Sequence, residues 1–372
     1  MGDRAVRWGI SRIHLEEDTG KTMHIAVDGT EASLVDYNRS GVPLMEIVTT
    51  PESLTAAAAR EFFAALRQLL MYLGVSDGNL QEGSLRVDAN ISLQTLDGTL
   101  GTKAEIKNLN SFRALERSLE YEIERQRAIL SSGGTVEQET RGWSEKDEVT
   151  VSQRSKEYAH DYRYFPEPDL PLLVISRVRV QTLKKSLPEL PAQRRARFER
   201  EFSLTAEVAD VLTQERKLAD YFERVVQADP TTQPQTLANW VKNELLKLLG
   251  ESHVAVENIP VPAERLAGLV SLVESGEISN SAGKQVLDQM FRTGEAPEAV
   301  VDRLDLRQVG DENELERLVD QVLAGQPKLV ETYRCGKTNV LQALVGQVMK
   351  ASGGKANPKR LPEILRQRLD GS

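Results

Sequence analysis

Apolar residues in this chain recur with a period of two only before Asp169. From Pro191 onward every strong pattern is helical. A chain whose strand periodicity stops and whose helix periodicity takes over must segregate its sheets from its later helices. We therefore predict an α+β molecule. A mixed α/β domain should occupy residues 1–178, an all-helical domain residues 179–300, and a smaller helical tail residues 301–372, beginning near Val309-Gly310-Asp311. The 372 residues suffice for this, at roughly 150 residues per domain. Pro168, Pro171, Pro188 and Pro191 punctuate a linker-like stretch at the change of character.

Within the first domain two helices stand out. One lies in Leu54–Leu73, with Thr50, Pro51 and Ser53 as start signals and Gly74 as its stop. The other opens at Ser111, a favourable N-cap, and closes at Gly133-Gly134. Between them Leu85–Leu93 and Thr102–Asn108 alternate as strands around Asp97-Gly98, which predicts a hairpin. Val6, Trp8 and Ile10 alternate as a further strand at the front of the chain. After Pro191 helices are expected over Leu204–Thr213, Leu218–Val226, Leu237–Leu249, Ala263–Val273 and Ser279–Met290.

The hairpin carries the most informative chemistry. Alternation puts Asp88 and Asn90 of one strand on the same surface as Lys103, Glu105 and Lys107 of the other. Carboxylates and an amide suit a hard cation such as Mg²⁺, and lysines among them suit phosphates. The alternative is a solvated sheet face of mixed charge. A second cluster is His14-Leu15-Glu16-Glu17-Asp18-Thr19-Gly20-Lys21. Adjacent carboxylates repel, so a packed site there would need a cation; otherwise it is a solvated acidic loop. Asp161–Asp169 packs Tyr162, Tyr164 and Phe165 around Arg163, side chains that stack on bases or pack on a core.

Charge and cysteine content exclude several classes. With 47 Lys and Arg against 56 Asp and Glu, the net charge is −9, so any polyanion contact must be local. The tail offers such a place: Tyr333–Ser372 holds eight basic residues, among them Lys350, Lys355, Lys359 and Arg360, against Glu363 and Asp370. One cysteine, Cys335, forms no internal disulfide and no paired-cysteine metal site, which fits a cytoplasmic protein. No apolar run approaches the roughly 20 residues of a membrane span. The four histidines build no Ser-His-Asp arrangement, and no glycine-lysine P-loop is present.

Longer motifs add a resemblance. Val35-Asp36-Tyr37-Asn38-Arg39-Ser40-Gly41-Val42-Pro43-Leu44-Met45-Glu46-Ile47-Val48-Thr49-Thr50-Pro51 resembles the signature of the B subunits of the aspartyl/glutamyl-tRNA(Asn/Gln) amidotransferases. The resemblance continues through His14–Lys21, Glu82–Asn90, Lys103–Phe112, Gln138–Gly142, Asp161–Asp169, Leu344–Lys350 and Gly354–Pro358, so it covers nearly the whole chain. It implies a cradle-like catalytic domain, a helical domain and a tail that grips tRNA. The implied activity uses ATP and Mg²⁺ to phosphorylate the side-chain carboxylate of misacylated Glu-tRNA(Gln) or Asp-tRNA(Asn). Ammonia from a glutaminase A subunit then displaces phosphate, and a small C subunit holds the pair together.

By the same resemblance Glu17 matches a family metal ligand. Side-chain chemistry adds Glu46 and Glu82 around the metal and Asp88, Asn90 and Glu105 around metal and substrate. Lys21, Lys103 and Lys107 are assigned to phosphate, and Lys350, Lys355, Lys359 and Arg360 to tRNA. Two departures stand against the family pattern. A strand bearing Glu-Val-His, and in many members a cysteine-bearing zinc segment, lie upstream of where this chain begins. Gln153 replaces the usual Met before Arg154. The chain is thus expected to be an N-terminally shortened member, and a catalytically incomplete tRNA-binding and assembly component is the alternative reading.

Overall fold

The computed structural model describes residues 7–27, 30–153, 168, 171–308, 312–334, 339–352, 356 and 360–370. Two compact units divide the chain: residues 1–70 with 74–181, and residues 71–73 with 182–372.

Among the described residues the N-terminal unit contains three sheets. Strand β1 (Ile10–Glu17) pairs antiparallel with β4 (Pro43–Thr49), and β2 (Lys21–Val27) pairs antiparallel with β3 (Thr30–Asp36) as a separate ribbon. Of the strand expected over Val6–Ile10, Val6 lies outside the described residues, residues 7–9 are not in a strand, and β1 begins at Ile10. Trp8 is pulled away by its neighbours: its ring lies 4.2 Å from that of Phe62 and its Nε1 donates to the Thr50 carbonyl. Helix α1 (Ala56–Leu73) starts two residues later than its apolar pattern suggests, because the Thr55 hydroxyl accepts from the Ala58 amide and caps it. Gly74 ends it at φ +69°, a backbone conformation that glycine adopts without a Cβ clash.

The third sheet has the order β5-β6-β7-β8, built from Val87–Ile91, Ala104–Leu109, Thr140–Ser144 and Val149–Ser152. Strands β5 and β6 form the expected hairpin, with Gly98 at φ +89° in its turn. Helix α2 (Phe112–Ser131) then carries the chain to β7, which runs parallel to β6. Ser111 caps α2 as read from the sequence, its hydroxyl accepting from the Ala114 amide at 2.9 Å. Phe63, Ile106, Leu109, Leu115, Leu119 and Trp143 form the core of this unit. The four-stranded sheet thus has one face against α2, and its other face is free to be polar.

The linker-like stretch contains a helix, α3 (Arg177–Ser186), none of whose residues is buried. The following helices are α4 (Pro191–Glu201), α5 (Ala206–Leu212), α6 (Arg216–Ala228), α7 (Pro234–Asn239), α8 (Leu246–Glu251), α9 (Ala263–Glu274), α10 (Asn280–Thr293) and α11 (Pro297–Arg303). Phe198, Leu212, Phe222, Leu237, Leu266 and Leu287 are fully buried among them. The helix expected over Leu237–Leu249 is interrupted by a π-helical turn, Trp240–Leu245. A second core, with Leu315, Leu344, Val348, Leu361 and Leu365, belongs to α12 (Glu312–Gly325), α13 (Pro327–Arg334), α14 (Val340–Ala351) and α15 (Leu361–Asp370). Among the described residues no helix is long and apolar enough to cross a membrane.

Candidate active site of the N-terminal unit

The β1–β4 register sets His14 opposite Glu46. Alternation puts Glu16 on the same face as His14. The result is a cluster of His14, Glu16 and Glu46 whose donor atoms all lie within 4.8 Å of one another. His14 Nδ1 is 3.6 Å from Glu46 Oε2. Two carboxylates and an imidazole suit a divalent cation, and the carboxylates alone suit Mg²⁺ completed by water. Glu17 lies on the opposite face, paired with Pro43 in the register, so the cluster takes Glu16 where the family resemblance pointed to Glu17.

The third acid of the run has a different fate. Asp18 Oδ2 sits 3.0 Å from Arg39 Nε and 2.9 Å from Arg86 Nη2. Its backbone is tied as well, the Asp18 amide donating to the Val42 carbonyl and the Gly41 amide to the Asp18 carbonyl. Arg39 also donates through Nη1 to the Gly83 carbonyl at 2.9 Å. At Asp18 the countercharge that a packed acidic run requires comes from two guanidinium groups of the chain itself. Three motifs far apart in sequence, around Asp18, Arg39 and Gly83–Arg86, meet here. Glu82 is exposed beside this junction. Lys21 is exposed at the start of β2, opposite Asp36.

The polar face of the β5–β8 sheet brings together most of the hairpin residues singled out from sequence. Lys107 Nζ lies 3.4 Å from both Asp88 Oδ2 and Glu105 Oε1. Partial burial alone would lower the Lys107 pKa, but the two carboxylates outweigh it and hold the ammonium above its usual value. Asn90 faces Glu105 across the ladder. The register shifts between Val87 and Ala89, and Asn108 on the partner strand takes φ +65°, the left-handed conformation that asparagine tolerates. Lys103 precedes β6 and is exposed; among the described residues no ion pair includes it.

Sequence reasoning missed Thr140, whose hydroxyl donates to Glu105 Oε2 at 2.9 Å. It also missed the buried Glu122 and its arginines below the sheet. Of the tail residues, Lys350 lies in the last turn of α14 and Arg360 precedes α15, whereas Lys355 and Lys359 lie outside the described residues. So do Cys335 and the aromatic run of Asp161–Asp169 apart from Pro168.

Comparison with known proteins decides the family. Residues 1–181 match the model of the GatB/GatE catalytic domain and residues 220–369 that of the GatB domain. The chain belongs to the GatB family. It is 49% identical over 362 residues to the B subunit of the aspartyl/glutamyl-tRNA(Asn/Gln) amidotransferase of Moorella thermoacetica, covering 97% of this chain and 76% of the relative. The B subunit of Herpetosiphon aurantiacus is 48% identical over 371 residues, 98% of this chain and 76% of the relative. That of Thermosynechococcus vestitus is 46% identical over 371 residues, 99% of this chain and 74% of the relative. In the GatB frame, both the His14–Glu16–Glu46 cluster and the Lys107 face fall inside the segment that matches the catalytic domain.

Proposed function

We propose that this chain acts as the B subunit of a tRNA-dependent amidotransferase, activating the side-chain carboxylate of misacylated Glu-tRNA(Gln) or Asp-tRNA(Asn) by ATP-dependent phosphorylation. The partners are a glutaminase A subunit, which supplies ammonia, and a small C subunit. The observation that carries this reading is the pairing, within one unit, of a carboxylate-rich cation cluster with a lysine held between two carboxylates on a polar sheet face.

The chemistry divides into two displacements. The substrate carboxylate oxygen attacks the γ-phosphorus of ATP and ADP leaves. Ammonia then attacks the acyl phosphate carbon and phosphate leaves, giving the amide. Mg²⁺ held through Glu16 and Glu46 would neutralise charge on the transferring phosphoryl group. Lys107, kept protonated by Asp88 and Glu105, is suited to stabilise the same charge. Asn90, Lys103 and Lys21 are available to orient the acceptor and the phosphates, and Lys350 and Arg360 to contact the tRNA backbone. Little covalent chemistry is left to the protein, so rate depends on positioning.

The test is analysis of the aminoacyl group after the assembled complex is incubated with misacylated tRNA, ATP, Mg²⁺ and glutamine. Conversion of glutamate or aspartate to its amide, dependent on ATP, is the expected result. Glutamine hydrolysis without any amide on the tRNA would refute the reading.

A further inference from the structure

Beneath the β5–β8 sheet lies a charge network that the proposed reaction does not use. Glu122 of α2 is fully buried. It accepts from Arg125 Nε and Nη2 at 2.9 and 2.6 Å, from Gln126 Nε2 at 3.0 Å and from Thr150 Oγ1 at 3.1 Å. Arg141 of β7 lies beside it, 3.5 Å from Glu122 Oε2, and donates to both the hydroxyl and the carbonyl of Thr150 in β8. Its third nitrogen meets Glu139, which Arg125 and Ser152 also approach. A buried ion cluster contributes little net stability compared with apolar packing, so its value here is geometric. It pins β7 and β8 to the helix that crosses from β6.

Alternation then fixes what happens on the other side of the sheet. Arg141 points toward α2, so its neighbour Thr140 points to the polar face. The parallel register sets Thr140 beside Glu105. Thr140 Oγ1 donates to Glu105 Oε2 at 2.9 Å, while Glu105 Oε1 faces Lys107 Nζ at 3.4 Å. The two oxygens of Glu105 are thereby assigned to different partners, which leaves its carboxylate one orientation.

We propose that Thr140 is a positioning residue for the phosphorylation step, holding Glu105 so that Lys107 stays between Glu105 and Asp88, with the Glu122–Arg141 network as its support. This rests on the function proposed above. The experiment is tRNA-dependent ATP hydrolysis by the assembled complex carrying Thr140→Val, Thr140→Ser or neither. Valine keeps the β-branched shape and removes only the hydroxyl. Loss of a hydrogen bond to a charged group should lower kcat roughly tenfold, with KM for the misacylated tRNA unchanged. Serine, which keeps the hydroxyl, should restore kcat, and glutaminase activity should not move in either variant. Wild-type turnover in Thr140→Val, or equal losses in the Val and Ser variants, would overturn the positioning role alone. A wild-type complex with no tRNA-dependent ATP hydrolysis would instead overturn the phosphorylation reading, and this role with it.

Discussion

Glu16, Glu17 and Asp18 are consecutive acids with three different surroundings. Glu16 joins His14 and Glu46, Glu17 faces away, and Asp18 is clasped by two arginines. The geometry expects Glu16→Gln to raise the Mg²⁺ concentration needed for half-maximal ATP hydrolysis, and Glu17→Gln to leave it unchanged. A magnesium titration of both variants checks this, and the reverse pattern would move the cation to the other face of β1. Asp18→Asn should act on stability instead. It weakens two charge-assisted contacts and should cost about 1–2 kcal/mol in chemical denaturation of the N-terminal unit. The sequence named all three acids and, by resemblance, gave only Glu17 a role, as a metal ligand. His14 and Glu16 sit two apart in a strand, so their shared face was legible once the strand was placed. The Arg39 and Arg86 contacts to Asp18 were not, because they join loops that lie apart in sequence, Arg86 at 68 residues from Asp18.

Among the elements, α2 and its sheet show where pattern reading stops. Helix α2 was legible because its apolar stripe, its Ser111 cap and its glycine stop agree. Ser111→Ala should destabilise the unit by about 1 kcal/mol. Strands β7 and β8 were not legible: they are short, and Arg141 and Thr150 occupy inward positions where apolar residues would mark a strand. Burial alone would raise the Glu122 pKa, but the hydrogen bonds from Arg125, Gln126 and Thr150 outweigh it and hold it below the usual glutamate range. A group depressed in the fold contributes stability that is complete above its unfolded pKa, about 4.3, and is lost as pH falls through its lower folded value. Glu122→Gln removes one of the two carboxylates that face the half-buried Arg125 and Arg141, leaving Glu139, and should cost roughly 1–3 kcal/mol at neutral pH. That difference should hold down to about pH 5 and shrink below about pH 4. Denaturation curves of both forms across this range check the sign.

At the scale of the whole molecule, the change of periodicity near Asp169 and the helical second half were readable because its longer helices, such as α6, α9 and α10, carry a clear apolar face. The π-helical turn at Trp240–Leu245 was not, since it leaves the apolar spacing of Leu237–Leu249 almost untouched. The tail carries the basic excess, and Arg368 within it is already paired with Glu316 and Asp320 of α12. Neutralising Lys350 and Arg360 together should therefore weaken tRNA binding. It should also make the plot of log affinity against log salt shallower by about 1–2. An unchanged slope would mean these two side chains touch no phosphate. The central claim, that the N-terminal unit phosphorylates a tRNA-borne carboxylate through its cation cluster, is met most directly by one comparison. ATP hydrolysis by the assembled complex is measured with and without misacylated tRNA, for the wild type and for Glu46→Gln, alongside glutaminase activity. The account predicts hydrolysis only when misacylated tRNA is present, its loss in Glu46→Gln, and intact glutaminase in both. Undiminished tRNA-dependent hydrolysis in Glu46→Gln would contradict it.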